Sequence, residues 1–303
     1  MKTRIKNLFL MPALIAGLGL ILAGQVTAQT FTTLHNFTGG NDGANPGGGG
    51  AGVILSGNTL YGTAGGGGKS GSGTVFGVNT NGTGFTNLYS FTSVTRSNTT
   101  NSDGAFPNAG LILSGSTLYG TTIFGGTNSL GTVFAVNTNG TGFTNLHNFS
   151  SASAGEAPLA GLTLSGNSLY GAAQAGTVFA INTNGTGFTN LTSGNGLVSD
   201  PTYALTLSGN TLYGTTMTGG FQNQGYGSVF AINTNGTGFT NLYSFGGGYT
   251  GPGDGAYPNG GIIISGNTLY GTTMIGGNGF NGTVFALNTD GTGFSNTRLS
   301  MLT

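Results

Sequence analysis

The chain has no cysteine and no tryptophan, and only 4% of its 303 residues carry charge. Without cysteine, a disulfide scaffold, a CxxC redox site and a thiolate zinc site are excluded. Six Lys and Arg cannot build the basic surface that nucleic-acid binding requires, and Lys2, Arg4 and Lys6 sit at the extreme N-terminus. No acidic or basic field is present to steer a charged partner. Glycine is what the chain has in abundance, with 64 residues. These glycines show no period of three, which excludes collagen. Gly, Thr and Asn all disfavour helix interiors, so long helices are not expected.

The first residues read as an address. Basic residues to Lys6 precede an apolar run from Leu8 to Gly24, followed by Val26-Thr27-Ala28. These are the three parts of a secretory signal peptide, with cleavage expected after Ala28. The apolar run is short for a spanning helix. The expected organisation is therefore a signal peptide over 1–28 and a single domain over 29–303. Cleavage leaves three cations against six acids, a net charge of −3. The mature protein is expected to be secreted, whether extracellular, at the cell surface or periplasmic, with no stable membrane insertion.

Internal repetition dominates the rest. Leu-Tyr-Gly begins at Leu60, Leu118, Leu169, Leu212 and Leu269. Gly-Thr-Val-Phe, or its Ser variant, begins at Gly73, Gly131, Gly176, Gly227 and Gly282. Asn-Gly-Thr-Gly-Phe begins at Asn81, Asn139, Asn184 and Asn235, with Asp290 opening the fifth copy. The order never changes. In the second copy the pattern predicts strands at Gly110–Ser114, Thr117–Thr121, Thr132–Asn137 and Phe143–Phe149, all rich in β-branched and aromatic residues. Asn139-Gly140 predicts a type I′ hairpin turn. Gly-Thr-Val-Phe-Ala-Val is apolar on both faces, as in a sheet covered on both sides. Four antiparallel strands recurring every 43–58 residues predict an all-β, five-bladed β-propeller of four-stranded antiparallel blades. A β-helix has shorter coils, and a two-sheet sandwich does not recur in one order.

The repeated blocks Leu-Ser-Gly-Asn-Thr-Leu-Tyr-Gly-Thr, Gly-Thr-Val-Phe and Asn-Gly-Thr-Gly-Phe-Thr-Asn-Leu-Tyr-Ser-Phe, with Asp-Gly-Ala-x-Pro between units, resemble the GloVer (Gloeobacter/Verrucomicrobia-type) tandem repeat of choice-of-anchor proteins. The resemblance covers nearly all of residues 31–296. It implies a secreted or surface-displayed bacterial protein, and it brings no catalytic residues. Members often end in an anchoring tail. After Phe294 this sequence runs Ser-Asn-Thr-Arg-Leu-Ser-Met-Leu-Thr, and soluble export is the expectation.

Asp42, Asp103 and Asp254 each open an Asp-Gly-Ala-x-Pro segment, and Glu156 and Asp200 are read as holding related places. A ring of carboxylates could hold a cation, but a hard cation wants several oxygens at one point. Turn formation, with each carboxylate accepting nearby N–H groups, is the expected role. Glycoside hydrolysis needs two facing carboxylates, and a turn role for every acid leaves none spare. His35 and His147 stand where Tyr89 and Tyr243 stand in other copies, and read as surface variants of the outer strand. The Gly-rich runs lack the strand-to-helix setting of a phosphate loop. No catalytic residue, metal or cofactor is expected.

The second-to-third loops and the linkers vary among copies, while the other turns barely change. In a meander these variable segments must share one face, and loops on a rigid scaffold are where binding resides. Phe124, Phe221, Tyr226 and Phe280 lie there among Asn, Gln and Gly, a composition suited to neutral ligands such as sugars. The expected function is a non-catalytic, monomeric propeller that binds a neutral glycan or another cell-surface component. The alternatives are a polysaccharide hydrolase and a purely structural surface module.

One segment is left over. Phe31–Phe37 matches Phe143–Phe149, yet no first three strands precede it. The fifth copy's own outer strand reads Phe294-Ser295-Asn296-Thr297-Arg298-Leu299-Ser300, with Thr297 and Arg298 in place of Leu242-Tyr243 and Ser300 in place of Phe245. The pattern predicts that Phe31–Phe37 docks beside Thr283–Asn288 and closes the ring, covering an edge that would otherwise be exposed.

Overall fold

The computed structural model describes residues 31–48, 52–94, 99–151, 155–192, 201, 203–220, 225–247, 253–277 and 280–297. The expected signal peptide, Phe221 and Asp200 lie outside the described residues. The chain divides into two compact units, Met1–Thr33 and Leu34–Thr303. Of the first, Phe31–Thr33 are described and form no strand. All the sheets lie in the second. Among the described residues no helix is long and apolar enough to cross a membrane.

Each copy of the repeat forms one antiparallel sheet. The first contains β1 (Ala44–Pro46), β2 (Ile54–Ser56), β3 (Thr59–Gly66), β4 (Thr74–Asn79) and β5 (Thr86–Ser90). The second has β6 (Ile112–Ser114), β7 (Thr117–Thr122), β8 (Thr132–Asn137) and β9 (Thr144–Asn148). In the third are β10 (Thr163–Ser165), β11 (Ser168–Ala173), β12 (Thr177–Asn182) and the short β13 (Thr189–Asn190). The fourth holds β14 (Thr206–Ser208), β15 (Thr211–Thr216), β16 (Ser228–Asn233) and β17 (Thr240–Ser244). The fifth holds β18 (Ala256–Pro258), β19 (Ile263–Ser265), β20 (Thr268–Ile275), β21 (Thr283–Asn288) and β22 (Ser295–Thr297). Strands pair in sequence order as a meander. In the first and fifth sheets the Asp-Gly-Ala-x-Pro segment adds β1 and β18 to the edge of β3 and β20, a strand beyond the four that the sequence predicts.

The register explains the Leu-Tyr-Gly block. Gly120 of β7 faces Phe134 of β8, and a Cβ on Gly120 would lie 2.5 Å from the tip of the Phe134 ring. A side chain there would collide with the largest residue of the facing strand, so the position stays bare. The hairpin turn differs from the expected type I′. Gly140 donates to the Asn137 carbonyl at 2.8 Å and Asn137 to the Thr141 carbonyl at 2.9 Å. Positive φ falls on Gly140 (81°), and Asn139 is not among the residues with positive φ. This is a type I turn followed by a left-handed glycine, the three-residue hairpin. Asn139 instead accepts from the backbone N–H and hydroxyl of Thr141 through its side chain, at 3.0 and 2.7 Å.

The core lies between successive sheets. Tyr61, Val75 and Phe91 of the first copy pack on Leu111, Leu118, Phe134 and Val136 of the second. The same positions meet at the next three junctions, except that the third sheet has no counterpart of Phe91. Each such buried side chain contributes roughly 1.5–3 kcal/mol by leaving water. Threonines on the second strand tie the sheets together, as Thr63 donating to the Ala109 carbonyl at 3.0 Å and Thr215 to the Gly260 carbonyl at 3.3 Å.

The two ends of this series differ from its interior. In the fifth sheet Val284 is 45% exposed, whereas Val75, Val133, Val178 and Val229 at the equivalent place are fully buried. In the first sheet Val53 is 52% exposed, against 5% or less for Leu111, Leu162, Leu205 and Ile262. The slot beside β21 is taken by β22, with Val284 opposite Thr297 and Ala286 opposite Ser295. Closure by Phe31–Phe37 is therefore corrected: Leu34–Phe37 lie against the first sheet. Phe37 meets Phe76 edge-on at 5.0 Å and His35 stacks on Phe85 at 3.7 Å. Local aromatic stacking on the β4–β5 hairpin holds the segment there.

Candidate functional site

The variable segments do share one end of the sheets. The second-to-third loop and the linker pair with each other. Ala105 donates to the Phe124 carbonyl at 2.7 Å, Phe124 returns a bond to Ala105 at 3.1 Å, and Ile123 donates to Phe106 at 3.2 Å. In the third copy Gln174 donates to the Glu156 carbonyl at 2.8 Å. Glu156 thus occupies the place of Ala105, two residues past the carboxylate position, which corrects the expected equivalence with Asp103.

The x residue of four of the five linkers takes left-handed backbone. Asn45, Phe106, Ala157 and Tyr257 all have positive φ, at 55°, 58°, 45° and 54°. Left-handed backbone costs a residue with a Cβ on the order of 1–2 kcal/mol. In three of the four the preceding copy accepts the x residue's N–H, while Asn45 of the first copy holds the same backbone with no copy before it. Phe106 donates to Ser72, Ala157 to Leu130 and Tyr257 to Tyr226, each at 2.8 Å.

The three described aspartates of the linkers act as turn acceptors. Asp103 accepts from the Tyr89 hydroxyl at 2.9 Å, from the Thr92 N–H at 2.9 Å and from the Thr92 hydroxyl. Asp254 accepts from the Tyr243 hydroxyl at 2.6 Å and from Gly246 N–H at 3.0 Å. Burial, and then the neighbouring carboxylate, push the Tyr89 and Tyr243 phenols above their ordinary range. Asp42 accepts from the Thr38 hydroxyl at 2.6 Å and N–H at 2.9 Å, with His35 Nε2 at 3.2 Å. The Thr38 hydroxyl and N–H hold the Asp42 carboxyl below the usual range, with His35 adding to them and partial burial opposing. Among the described residues no three His, Asp or Glu side chains gather in a way that could hold a metal. The two histidines are half-buried stacking groups, not the surface variants expected: His147 lies on Phe188 at 3.6 Å.

The aromatic candidates separate. Phe124 is 49% exposed and meets Phe106, 36% exposed, edge-to-face at 6.0 Å. Phe280 is 47% exposed and also has positive φ, 63°. Tyr226 is half-buried, set against Tyr257 at 6.1 Å and against the core between the fourth and fifth sheets. It plugs its loop onto the sheets. Phe106 was not singled out from the sequence. Its signal was there in the x position, which is aromatic in two copies, as Phe106 and Tyr257.

Comparison with known proteins agrees with this architecture. The designed protein Ika8 superposes with a TM-score of 0.50 at 16% identity, over 82% of this chain and 61% of Ika8. The chain thus spans about three fifths of Ika8, and the likeness is one of fold alone. A chain of the nidogen/laminin complex gives a TM-score of 0.48 at 15% identity, covering 80% of this chain and 76% of that one. The putative TolB of Agrobacterium tumefaciens gives 0.48 at 11%, covering 81% and 79%. No curated protein matches the chain. The profile of the Gloeobacter/Verrucomicrobia repeat matches residues 16–192, across the first three sheets and the blocks that build them. The chain belongs to the Gloeobacter/Verrucomicrobia repeat family.

Proposed function

We propose that the protein is an exported β-propeller repeat protein of five four-stranded blades that binds a neutral glycan at its loop end without transforming it. The observation that carries this reading is the Phe106–Phe124 pair. Two aromatic faces stand exposed on a doubly bonded loop, and one of them is held on a strained backbone. Strain of this kind clusters at binding and catalytic sites. The exposed amide and hydroxyl of Asn128 and Thr127 lie on the same loop, so an apolar platform and neutral hydrogen-bonding groups adjoin. A sugar offers the same combination, a C–H face ringed by hydroxyls. Asp42, Asp103 and Asp254 are each committed to a turn, which favours binding over hydrolysis. The signal-peptide pattern of residues 1–28 supports export to the cell surface or beyond.

A glycan array probed with chain 29–303 tests this. The wild type should retain a subset of neutral glycans and release no reducing sugar. Phe124→Ala and Phe106→Gly should lose that retention, while Phe106→Gly keeps or raises the unfolding midpoint because its backbone strain is relieved. Undiminished binding by both variants, or turnover of the retained glycan, overturns the reading.

A further inference from the structure

The two ends of the sheet series are halves of one interface. At each internal junction one sheet contributes the Tyr of Leu-Tyr-Gly and the Val of Gly-Thr-Val-Phe, and at all but the third an outer-strand aromatic pair. The next contributes the Leu of Leu-Tyr-Gly, the Phe of Gly-Thr-Val-Phe and a first-strand aliphatic. The fifth sheet presents the contributing half uncovered: Ile263, Tyr270 and Val284 are exposed. Thr272 is exposed too, where its counterpart Thr121 donates to the Ala160 carbonyl of the next sheet. The first sheet presents the receiving half, with Val53 and Leu55 exposed.

The outer strand divides between the two ends in the same way. Its first part, Ser295–Thr297, is β22 on the fifth sheet. Its second part, with the aromatic pair, is present on the first sheet as His35 and Phe37. Phe37 meets Phe76 at 5.0 Å and 68°, as Phe91 meets Phe134 at 5.2 Å and 72°. His35 stacks on Phe85 at 3.7 Å and 8°, as Tyr89 stacks on Phe143 at 3.7 Å and 5°. What the first sheet lacks is Tyr, Val and Ile from a preceding sheet, and those are the residues the fifth sheet leaves uncovered.

We propose that the fifth sheet of one copy seats on the first sheet of a second copy, repeating between chains the junction made four times within the chain. The occupant is a second copy because each exposed face is the repeat's own partner for the other. Within one chain the two faces remain uncovered. The monomer expected from the sequence gives way to head-to-tail association. Such an interface is heterologous, so it either closes a ring of chains or extends.

The test uses sedimentation of chain 29–303 across its soluble concentration range, with two variants that each place a charge on one exposed face. Wild type should gain mass with concentration. Val53→Lys alone and Val284→Lys alone should each lose that gain, since every junction needs both faces. An equimolar mixture of the two variants retains one intact pair of faces, Val284 of the first with Val53 of the second, and should form a 1:1 dimer that grows no further. Folding is read separately by unfolding midpoint, which these exposed positions should leave nearly unchanged. A wild type that stays monomeric throughout overturns the proposal. So does association that both variants retain, or a variant mixture that stays monomeric.

Discussion

His147 stacks on Phe188 at 3.6 Å and 6°, as Tyr89 stacks on Phe143, yet its buried Nε2 has no hydrogen-bond partner. The third copy's linker carries Ala154 where the other linkers have Asp103 or Asp254, so the carboxylate that completes this contact is missing.

Burial alone pushes the His147 imidazole down from 6.5 to about 4. The folded protein then refuses a proton that the unfolded chain accepts, so stability falls as pH drops from 6.5 to about 4 and levels off below. The ring is half-exposed, and with solvent screening the loss should be on the order of 1–2 kcal/mol. Urea unfolding between pH 7 and pH 4 should show His147→Phe with a flatter profile than wild type. Parallel profiles would remove His147 from the account.

The Asp103 contact predicts the cost of breaking a turn. Asp103 is buried, and Asp103→Ala leaves the Tyr89 hydroxyl and the Thr92 N–H without their acceptor. The loss should be about 1–3 kcal/mol, with Asp103→Asn losing less because one carbonyl acceptor survives. Equal midpoints for the two variants would mean the turn does not depend on that acceptor.

A stabilising change is also legible. Thr74 is buried with its hydroxyl unpaired, and it faces Ala64. At the equivalent place Thr122 and Thr132 hydroxyls lie 2.9 Å apart, and Thr273 and Thr283 lie 2.8 Å apart. Ala64→Thr should supply the missing partner and raise stability by about 0.5–1.5 kcal/mol. The measurement is a higher denaturant midpoint at unchanged slope.

Gly120→Ala should act in the other direction. The new methyl would fall 2.5 Å from Phe134 and 2.9 Å from Leu111, and overpacking of this kind costs typically 1–3 kcal/mol. Gly115→Ala provides the comparison: its Cβ would meet nothing within 4 Å, so any loss there comes from its positive φ alone. A double variant with Phe134→Leu should recover part of the Gly120→Ala loss, because the colliding ring is gone.

The sequence by itself determined everything that depends on local pattern. Leu-Tyr-Gly, Gly-Thr-Val-Phe and Asn-Gly-Thr-Gly located the strands and hairpins of all five copies, because a repeated apolar alternation and a repeated turn have one low-energy pairing each. It also placed the variable loops at one end, since a meander leaves no other choice. What depends on approach between distant segments was decided only by the tertiary structure. The Asn139-Gly140 turn type follows from how the strands are spaced. Phe106 emerges as an exposed aromatic on left-handed backbone, its N–H bonded to Ser72, 34 positions earlier in the numbering, a contact no local pattern shows. The fate of Leu34–Phe37 was open for the same reason. Its residues fit an outer strand anywhere in the series, and the surfaces they stack on recur in every copy, so only the tertiary structure shows His35 and Phe37 on Phe85 and Phe76 of the first sheet.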